Sequence, residues 1–177
     1  STDMPASAPR ERIASSLDGL RACGAYPPVE SEARILEQFR RVKRSLITQI
    51  DGDASIAPSR RPIVITSANQ SDGKTFFAVG LALSLALERD LSVVLVDGDP
   101  YVRALSQAFG VADRKGFLDL LQDSSSDPEA LLLETHQHGL SILPAGGQST
   151  LASELAASGR SRELLDRIGA GGRRRLV

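Results

Sequence analysis

Residues 68–75, Ala-Asn-Gln-Ser-Asp-Gly-Lys-Thr, decide the fold that the sequence predicts. They follow an apolar run at 62–66 that predicts a strand buried on both faces, and they precede an apolar helix predicted over 75–88. This is the phosphate-binding loop pattern, with Ala in place of the first Gly. In such a loop, backbone N–H groups wrap phosphates, the Lys ammonium reaches the terminal phosphates, and the hydroxyl ligates Mg²⁺. We predict these last two roles for Lys74 and Thr75, with an ordinary strand-to-helix turn as the alternative.

Short β-branched runs alternate with helical patterns after this loop. Residues 92–97 predict a second buried strand, and a strand, a helix and a strand in succession predict a parallel sheet with right-handed connections. A third strand is predicted at 140–144 and a further strand at 173–177, with helices at 101–109, 116–122 and 130–134 and within 151–168. The predicted fold class is therefore α/β, a central parallel sheet flanked by helices.

The chain before the loop divides into three stretches. Residues 1–30 are rich in Ser, Ala, Pro and Arg and predict a flexible amino-terminal arm with one weak helix. Residues 31–50 carry apolar side chains on one helical stripe and basic ones outside it, which predicts an amphipathic helix with a basic outer face. A polar connection at 51–61 leads to the first strand.

Composition excludes several function classes. The 177 residues carry 21 basic and 22 acidic side chains, so the net charge of −1 gives no reason to expect nucleic acid as a partner. Aromatic residues make up 4% of the chain, too few for stacking on single strands. The longest apolar-rich stretch, 76–87, is shorter than the ~20 residues that a bilayer needs. Cys23 stands alone, which is typical of a reducing compartment.

Two carboxylates, Asp97 and Asp99, end the second predicted strand. Ligands of parallel sheets bind outside the carboxyl ends of the strands, so both side chains are expected to point at the same nucleotide. There they would hold Mg²⁺ or accept a proton from an attacking hydroxyl. The alternative is that Asp97 caps a turn and Asp99 is solvated.

The sequence resembles the bacterial tyrosine autokinases of capsule and exopolysaccharide export, and most of all the branch associated with exosortase gene clusters. The likeness covers roughly 31–177 and rests on several motifs in one order: the helix at 37–44, the loop, the Asp-Gly-Asp, Gly-Phe-Leu-Asp-Leu-Leu at 116–121, Ile-Leu-Pro-Ala-Gly at 142–146 and Glu-Leu-Ala at 154–156. It implies a three-layer P-loop fold and ATP-dependent phosphorylation of tyrosines, usually in a tail of a neighbouring subunit.

The resemblance also implies a set of site residues. Catalysis would fall to Lys74, Asp97 and Asp99, and Mg²⁺ binding to Thr75, Asp97 and Asp99. ATP or ADP would lie on the loop residues Asn69, Gln70, Ser71, Asp72, Gly73, Lys74, Thr75 and Phe76. A membrane-bound polysaccharide chain-length or export protein is the implied activator, which places the domain in the cytoplasm, peripheral at the inner face of the cell membrane.

A helix of this family forms rings through a Glu-x-x-Arg-x-x-Arg motif, which Glu37, Arg40 and Lys43 resemble. This spacing predicts a homo-oligomer. Lys43 lacks the planar fork of Arg, so the contact would be weaker than in the family. The alternative is a solvated basic face.

The sequence departs from the family in three respects. Gln70-Ser71 replaces the usual Pro-Gly, and if that Gly has a positive φ, Ser71 would strain the loop. Tyr26 and Tyr101 are the two tyrosines, and no tyrosine cluster exists. Family members also continue past the Arg-Leu-Val at 175–177 to a second acidic motif, so we expect the kinase domain of 31–177 to be an incomplete piece.

Two other functions stay open. A scaffold that binds nucleotide without phosphoryl transfer would tolerate Ser71 and the missing second acid. A partition or Min-type ATPase resembles the chain in loop and strand order. Those proteins carry a signature Lys where this chain has Asn69, which makes their mode of dimerisation less favoured.

Overall fold

A sheet with four strands among the described residues forms the centre of the fold. The computed structural model describes residues 10–52, 62–147, 154, 159–172 and 174–177. The strands are β1 (Ser92–Val96), β2 (Leu133–Glu134), β3 (Leu140–Leu143) and β4 (Arg175–Leu176), in the spatial order β2-β3-β1-β4. β1 runs parallel to both β3 and β4, whereas β2 pairs antiparallel with β3. The central strand therefore has parallel neighbours, as predicted, and β2 is a short antiparallel addition.

Helices cover both faces of this sheet. Within the described ranges the α-helices are α1 (Leu17–Ala22), α2 (Glu32–Gly52), α3 (Lys74–Ala86), α4 (Ala104–Ala108), α5 (Phe117–Gln122) and α6 (Gly159–Ala170), with 3₁₀ helices at Val29–Ser31 and Pro128–Leu131. None of the described helices is long and apolar enough to cross a membrane. The part of the predicted helix within 151–168 that precedes residue 159 lies, apart from residue 154, outside the described residues.

Alternate residues of β1 face opposite layers. Val93 and Leu95 pack with α3 in one core cluster, and Val94 packs with α5 and α6 in another. This division follows from the period of two along a strand. Helix α3 is buried at every position from 78 to 86, which suits a helix enclosed between α2 and the sheet. The three-layer α/β prediction is confirmed.

Residues 62–67 form no strand, so the prediction of a doubly buried strand at 62–66 is wrong. Ile63 donates its N–H to the carbonyl of Val177 at 2.8 Å, which places the segment beside β4. β4 is two residues long and supports little pairing. Val64 on the same segment is 76% exposed. The segment runs alongside the sheet without joining its ladder.

Residues 130–134, predicted as a helix, divide between two elements. The Asp127 carboxylate accepts the N–H of Glu129, and Pro128 occupies the first turn, so the chain starts as a 3₁₀ helix. It then extends into β2, because Leu133 and Glu134 pair with β3. Sheet pairing outweighed the local helical signal here.

The amino-terminal segment packs against the domain. The sequence predicted a flexible arm over 1–30, of which residues 1–9 lie outside the described residues. Ile13, Leu20 and Tyr26 are buried, and Arg12 forms a parallel bridge with Glu134 of β2. Because apolar side chains and a backbone bridge hold it, the segment from residue 10 onward is part of the folded body. The domain boundary at residue 30 stays a prediction.

Helix α2 supports the helix that follows the phosphate loop. Phe39 of α2 is 4% exposed and lies against Gly80 of α3, where an added Cβ would stand 2.2 Å from the Phe39 ring. Gly80 thus lets the ring approach the α3 backbone closely. Lys43 donates to Glu88 at 2.7 Å just beyond the end of α3. These two contacts position α3, whose first residue is Lys74.

Candidate nucleotide site

A cavity of about 740 Å³ opens at the carboxyl end of β1. Its walls include the start of α3, the segment at 62–66 and the residues that follow β1. Of the residues predicted to bind nucleotide or metal, the cavity is lined by Gln70, Ser71, Gly73, Lys74, Thr75, Phe76, Asp97 and Asp99. Asn69 and Asp72 do not line it. The topology therefore brings the loop and the carboxylates to one place, as expected for a parallel sheet.

The phosphate loop is held by its own polar groups. The Lys74 ammonium donates to the Ser67 hydroxyl at 2.9 Å and to the Asn69 carbonyl at 3.3 Å. The Asp72 carboxylate accepts the N–H of Asn69 at 2.9 Å. These contacts close the loop on itself and leave the residues from 68 to 73 exposed. Asn69 and Asp72 thus bond to each other and do not line the cavity.

Backbone strain marks the tip of this loop. Ser71 has a φ of 68°, in the left-handed region where a side chain costs roughly 1–2 kcal/mol. The family pattern has Gly at this position, and the expectation that a positive φ would strain Ser71 matches the geometry. Gly73, with a φ of 90°, supplies the second left-handed residue just before α3. One of the two left-handed positions therefore carries a residue that disfavours it.

Asp97 is buried, with 2% of its surface exposed, and three donors surround its carboxylate. Ser106 contributes its N–H at 2.8 Å and its hydroxyl at 2.6 Å, both to Oδ2. The N–H of Asp99 reaches Oδ1 at 3.2 Å. Burial raises the pKa of Asp97 above its ordinary value, and the hydrogen bonds from Ser106 and Asp99 act in the opposite direction.

Asp99 is partly exposed and organises the turn that follows it. Its Oδ1 accepts the N–H of Tyr101 at 2.9 Å and that of Val102 at 3.0 Å. Asp97 thus points inward to a fixed network, whereas Asp99 sits at the rim of the cavity.

Sequence reasoning missed Ser106. It lies in the short helix α4, is 0% exposed, and is the residue that contacts Asp97 most closely. The available signal was a single serine inside the apolar pattern at 104–109, which carries no functional information on its own.

Hard oxygen donors suit Mg²⁺, and Thr75, Asp97 and Asp99 supply them around one cavity. In the described part of the chain no group of three or more His, Cys, Asp or Glu side chains could hold a metal. Mg²⁺ usually keeps several waters and binds through one or two carboxylates plus substrate phosphates. A pair of carboxylates beside a phosphate loop therefore fits this ion.

Several solved structures share the architecture. The kinase domain of VpsO is 24% identical, with 84% of this chain and 71% of that chain covered and a TM-score of 0.61. The BceF tyrosine kinase domain is 25% identical, with 95% and 69% covered and a TM-score of 0.64. The kinase domain of the Escherichia coli tyrosine kinase ETK is 22% identical, with 80% and 53% covered and a TM-score of 0.65. The chain has the fold of a bacterial tyrosine kinase domain.

The resemblance inferred from the motifs is thereby confirmed as a likeness of fold. No protein-family model matches the chain. No curated protein matches it either.

Helix α2, which the sequence predicts to mediate oligomer formation, makes salt bridges within the chain. Glu37 pairs with Arg40 at 2.9 Å on the exposed face of α2. Lys43 is turned toward Glu88, and its side chain is 14% exposed. Glu37 and Arg40 therefore remain accessible to a second copy, whereas Lys43 would first have to leave Glu88.

The two tyrosines of the kinase-type domain differ in access. Tyr26 is 5% exposed, its hydroxyl donates to Glu32 at 3.0 Å, and the Arg21 guanidinium lies over its ring. Tyr101 is 73% exposed beside the cavity.

Proposed function

We propose that this domain is an ATP-dependent protein-tyrosine kinase. The observation that carries the proposal is a single cavity lined by Lys74 and Thr75 at the start of α3 and by Asp97 and Asp99 beyond β1. Phosphoryl transfer needs little more from a protein than positioning and charge stabilisation. A cation, a hydroxyl and two carboxylates around one space large enough for a nucleotide meet that need.

In the proposed complex the loop holds the phosphates of ATP or ADP. Lys74 would exchange its contacts with Ser67 and Asn69 for the terminal phosphates, because a phosphate oxygen is the stronger partner for an ammonium group. Backbone N–H groups of the cavity-lining residues 70, 71 and 73–76, at the amino end of α3, would contact the remaining oxygens.

Mg²⁺ would be held by Thr75, Asp97 and Asp99. Bound there, the ion would neutralise part of the charge on the phosphates during transfer. Because Asp97 is buried and fixed, we assign it to the ion. The partly exposed Asp99 has the better access to an incoming tyrosine, and we assign to it the acceptance of the hydroxyl proton.

The proposed reaction balances without a further reactant. The tyrosine oxygen forms a bond to the γ-phosphorus, the bond from that phosphorus to the ADP oxygen breaks, and the hydroxyl proton passes to a carboxylate. Phosphotyrosine and ADP are the products.

We extend the proposal to the cellular setting that the motifs imply. The domain would act in exopolysaccharide production or export, at the inner face of the cell membrane, with a membrane-bound chain-length or export protein as activator. Self-association would use the exposed Glu37 and Arg40 of α2, with Lys43 joining after release from Glu88. The arrangement of charges on α2 supports this oligomer, whereas the polysaccharide link rests on the sequence resemblance.

Incubation of the full-length protein with radiolabelled ATP, Mg²⁺ and a Glu/Tyr copolymer tests the activity. We expect label on tyrosine that disappears in Lys74→Met. Lys115→Met is the matched control, since Lys115 is exposed and does not line the cavity. Label that persists in Lys74→Met would contradict the proposal.

A nucleotide-binding scaffold without phosphoryl transfer is the second candidate. The left-handed Ser71 is compatible with it, because a strained loop that still binds a nucleotide would place the terminal phosphate poorly for transfer. Nucleotide binding with neither label nor phosphate release would establish the scaffold. Phosphate release stimulated by DNA or lipid would instead indicate a partition-type ATPase.

A further inference from the structure

We infer that Ser106 is a positioning residue for the Mg²⁺-nucleotide complex: its buried hydroxyl fixes the orientation of the Asp97 carboxylate at the cavity. The inference rests on the proposed function, because it assumes that the cavity binds Mg²⁺ and nucleotide. It adds a residue that none of the sequence motifs contains.

The Ser106 hydroxyl stands between two groups that determine its direction. It accepts the N–H of Ala145 at 2.9 Å, so its own hydrogen is free to point to Asp97, which it reaches at 2.6 Å. A hydroxyl has one hydrogen to donate, and the acceptor role toward Ala145 leaves that hydrogen for the carboxylate. The Ser106 N–H meets the same carboxylate oxygen at 2.8 Å.

These bonds join three elements at one edge of the sheet. Asp97 follows β1, Ser106 lies in α4, and Ala145 follows β3, which pairs with β1. Ala145 is itself held, since its carbonyl accepts the N–H of Leu118 in α5. Ser106 is therefore anchored to the rigid part of the domain and transfers that rigidity to the carboxylate.

Burial makes the hydrogen bond between Ser106 and Asp97 difficult to replace. Ser106 is 0% exposed and Asp97 is 2% exposed, so water cannot replace the hydroxyl without a rearrangement. Both contacts of Ser106 are on Oδ2, and Oδ1 has the single, longer contact to the N–H of Asp99. Residues that orient a metal-ligating carboxylate typically change metal affinity 10–100-fold when removed.

The chain contains a matched control in Thr135. Its hydroxyl is also buried, donates to the Leu140 carbonyl at 3.0 Å and accepts the N–H of Gln137 at 3.2 Å. Thr135 does not line the cavity. Thr135→Val therefore removes a buried hydroxyl with two backbone partners while leaving the site intact.

The test measures the affinity of the full chain for a fluorescent ADP analogue with excess Mg²⁺ and with a chelator. We expect Ser106→Ala to weaken the Mg²⁺-dependent gain in affinity about tenfold. Its affinity in chelator should stay within about twofold of the wild type, because the loop contacts are unchanged. Thr135→Val should keep both values.

Two results would overturn the inference. One is a Ser106→Ala protein with the wild-type Mg²⁺ gain, and the other is an equal loss in Thr135→Val, which would indicate a general effect of lost stability. If Ser106→Ala does not fold, Ser106→Cys keeps the volume and a weak donor, and it should show a partial loss. A wild-type chain that binds no nucleotide in either buffer would refute the proposed function itself.

Discussion

The two halves of the cavity differ in burial, hydrogen bonding and backbone strain. The acid half contains Asp97, which lines the cavity and is joined by two short hydrogen bonds to the buried Ser106. The loop half contains Gln70, Ser71 and Gly73 of the exposed loop at 68–73, and its Ser71 has a left-handed conformation. One half is organised by the packed sheet and its neighbours, whereas the other is organised by contacts among its own residues. The acid half is thus fixed by contacts within the chain, and under the proposed function the loop half would offer its backbone N–H groups to the phosphates.

The largest expected effect comes from the support that the loop half receives from α3. Gly80→Ala should lower the free energy of unfolding by about 2–3 kcal/mol, because the new methyl would overlap the enclosed Phe39 ring. Gly159→Ala is the control, since a Cβ there meets open space at the start of α6. Urea unfolding measures both variants. Equal stabilities would show that α2 yields at Phe39 and that α3 is not clamped.

A second substitution probes the acid half. Asp97→Asn should lower the free energy of unfolding by about 1–2 kcal/mol, because each carboxylate oxygen of Asp97 faces a donor and an amide must turn its own N–H groups toward one of them. Asp99→Asn, at the rim, should change it by less than about 1 kcal/mol. The same urea experiment compares the two. A more stable Asp97→Asn would mean that charge burial, and not hydrogen bonding, dominates at this site.

A third substitution should reduce the difference between the two halves by removing the backbone strain of the loop half. Ser71→Gly lowers the cost of the left-handed conformation by roughly 1–2 kcal/mol, and the greater conformational freedom of Gly offsets part of this gain. Because the loop would then adopt this conformation more often, nucleotide affinity should rise by up to about fivefold. Ser71→Ala keeps the Cβ and should stay within about twofold of the wild type. Titration with a fluorescent ADP analogue measures both. Weaker binding by Ser71→Gly would assign the Ser71 hydroxyl a direct contact with the ligand.

The smallest expected effect lies outside both halves, at Tyr26. Burial and the hydrogen bond to Glu32 raise the pKa of Tyr26 above its usual value near 10. Between the unfolded and folded pKa values, Tyr26 keeps its proton in the folded chain and has lost it in the unfolded chain. The contribution of Tyr26 to stability is therefore fully present below pH 10 and is lost as the pH rises through the folded pKa. The difference in thermal stability between wild type and Tyr26→Phe should therefore shrink above pH 10. A constant difference would show that Tyr26 ionises as freely in the folded state.

Local patterns were sufficient for the elements that carry the site. The apolar run that becomes α3, the β-branched run that becomes β1 and the two carboxylates after β1 were all identified from residue type and spacing. They were predictable because burial on two sides requires a continuous apolar segment, and a parallel sheet gathers the ends of its strands.

Other features depend on contacts between residues far apart in the chain. Residues 62–66 have the composition of a strand but run beside a β4 of two residues, so pairing decided their state. The composition of the amino-terminal segment predicts a flexible arm with one weak helix, yet Ile13 and Leu20 pack in the core. The sequence places Lys43 on the basic outer face of α2, whereas in the structure its side chain is largely buried and pairs with Glu88.

The sequence by itself determined β1, β3 and α3, the loop at 68–73 and the place of Asp97 and Asp99, since each of these depends on neighbours along the chain. Tertiary structure alone decided that Asp97 would be buried against Ser106, nine residues away, and that Ala145 would complete the network from the segment after β3. Hydrogen-bond partners of this kind are chosen by the packing of the sheet. No residue-by-residue pattern records them, because serine at a buried position and serine in solvent look the same in a sequence.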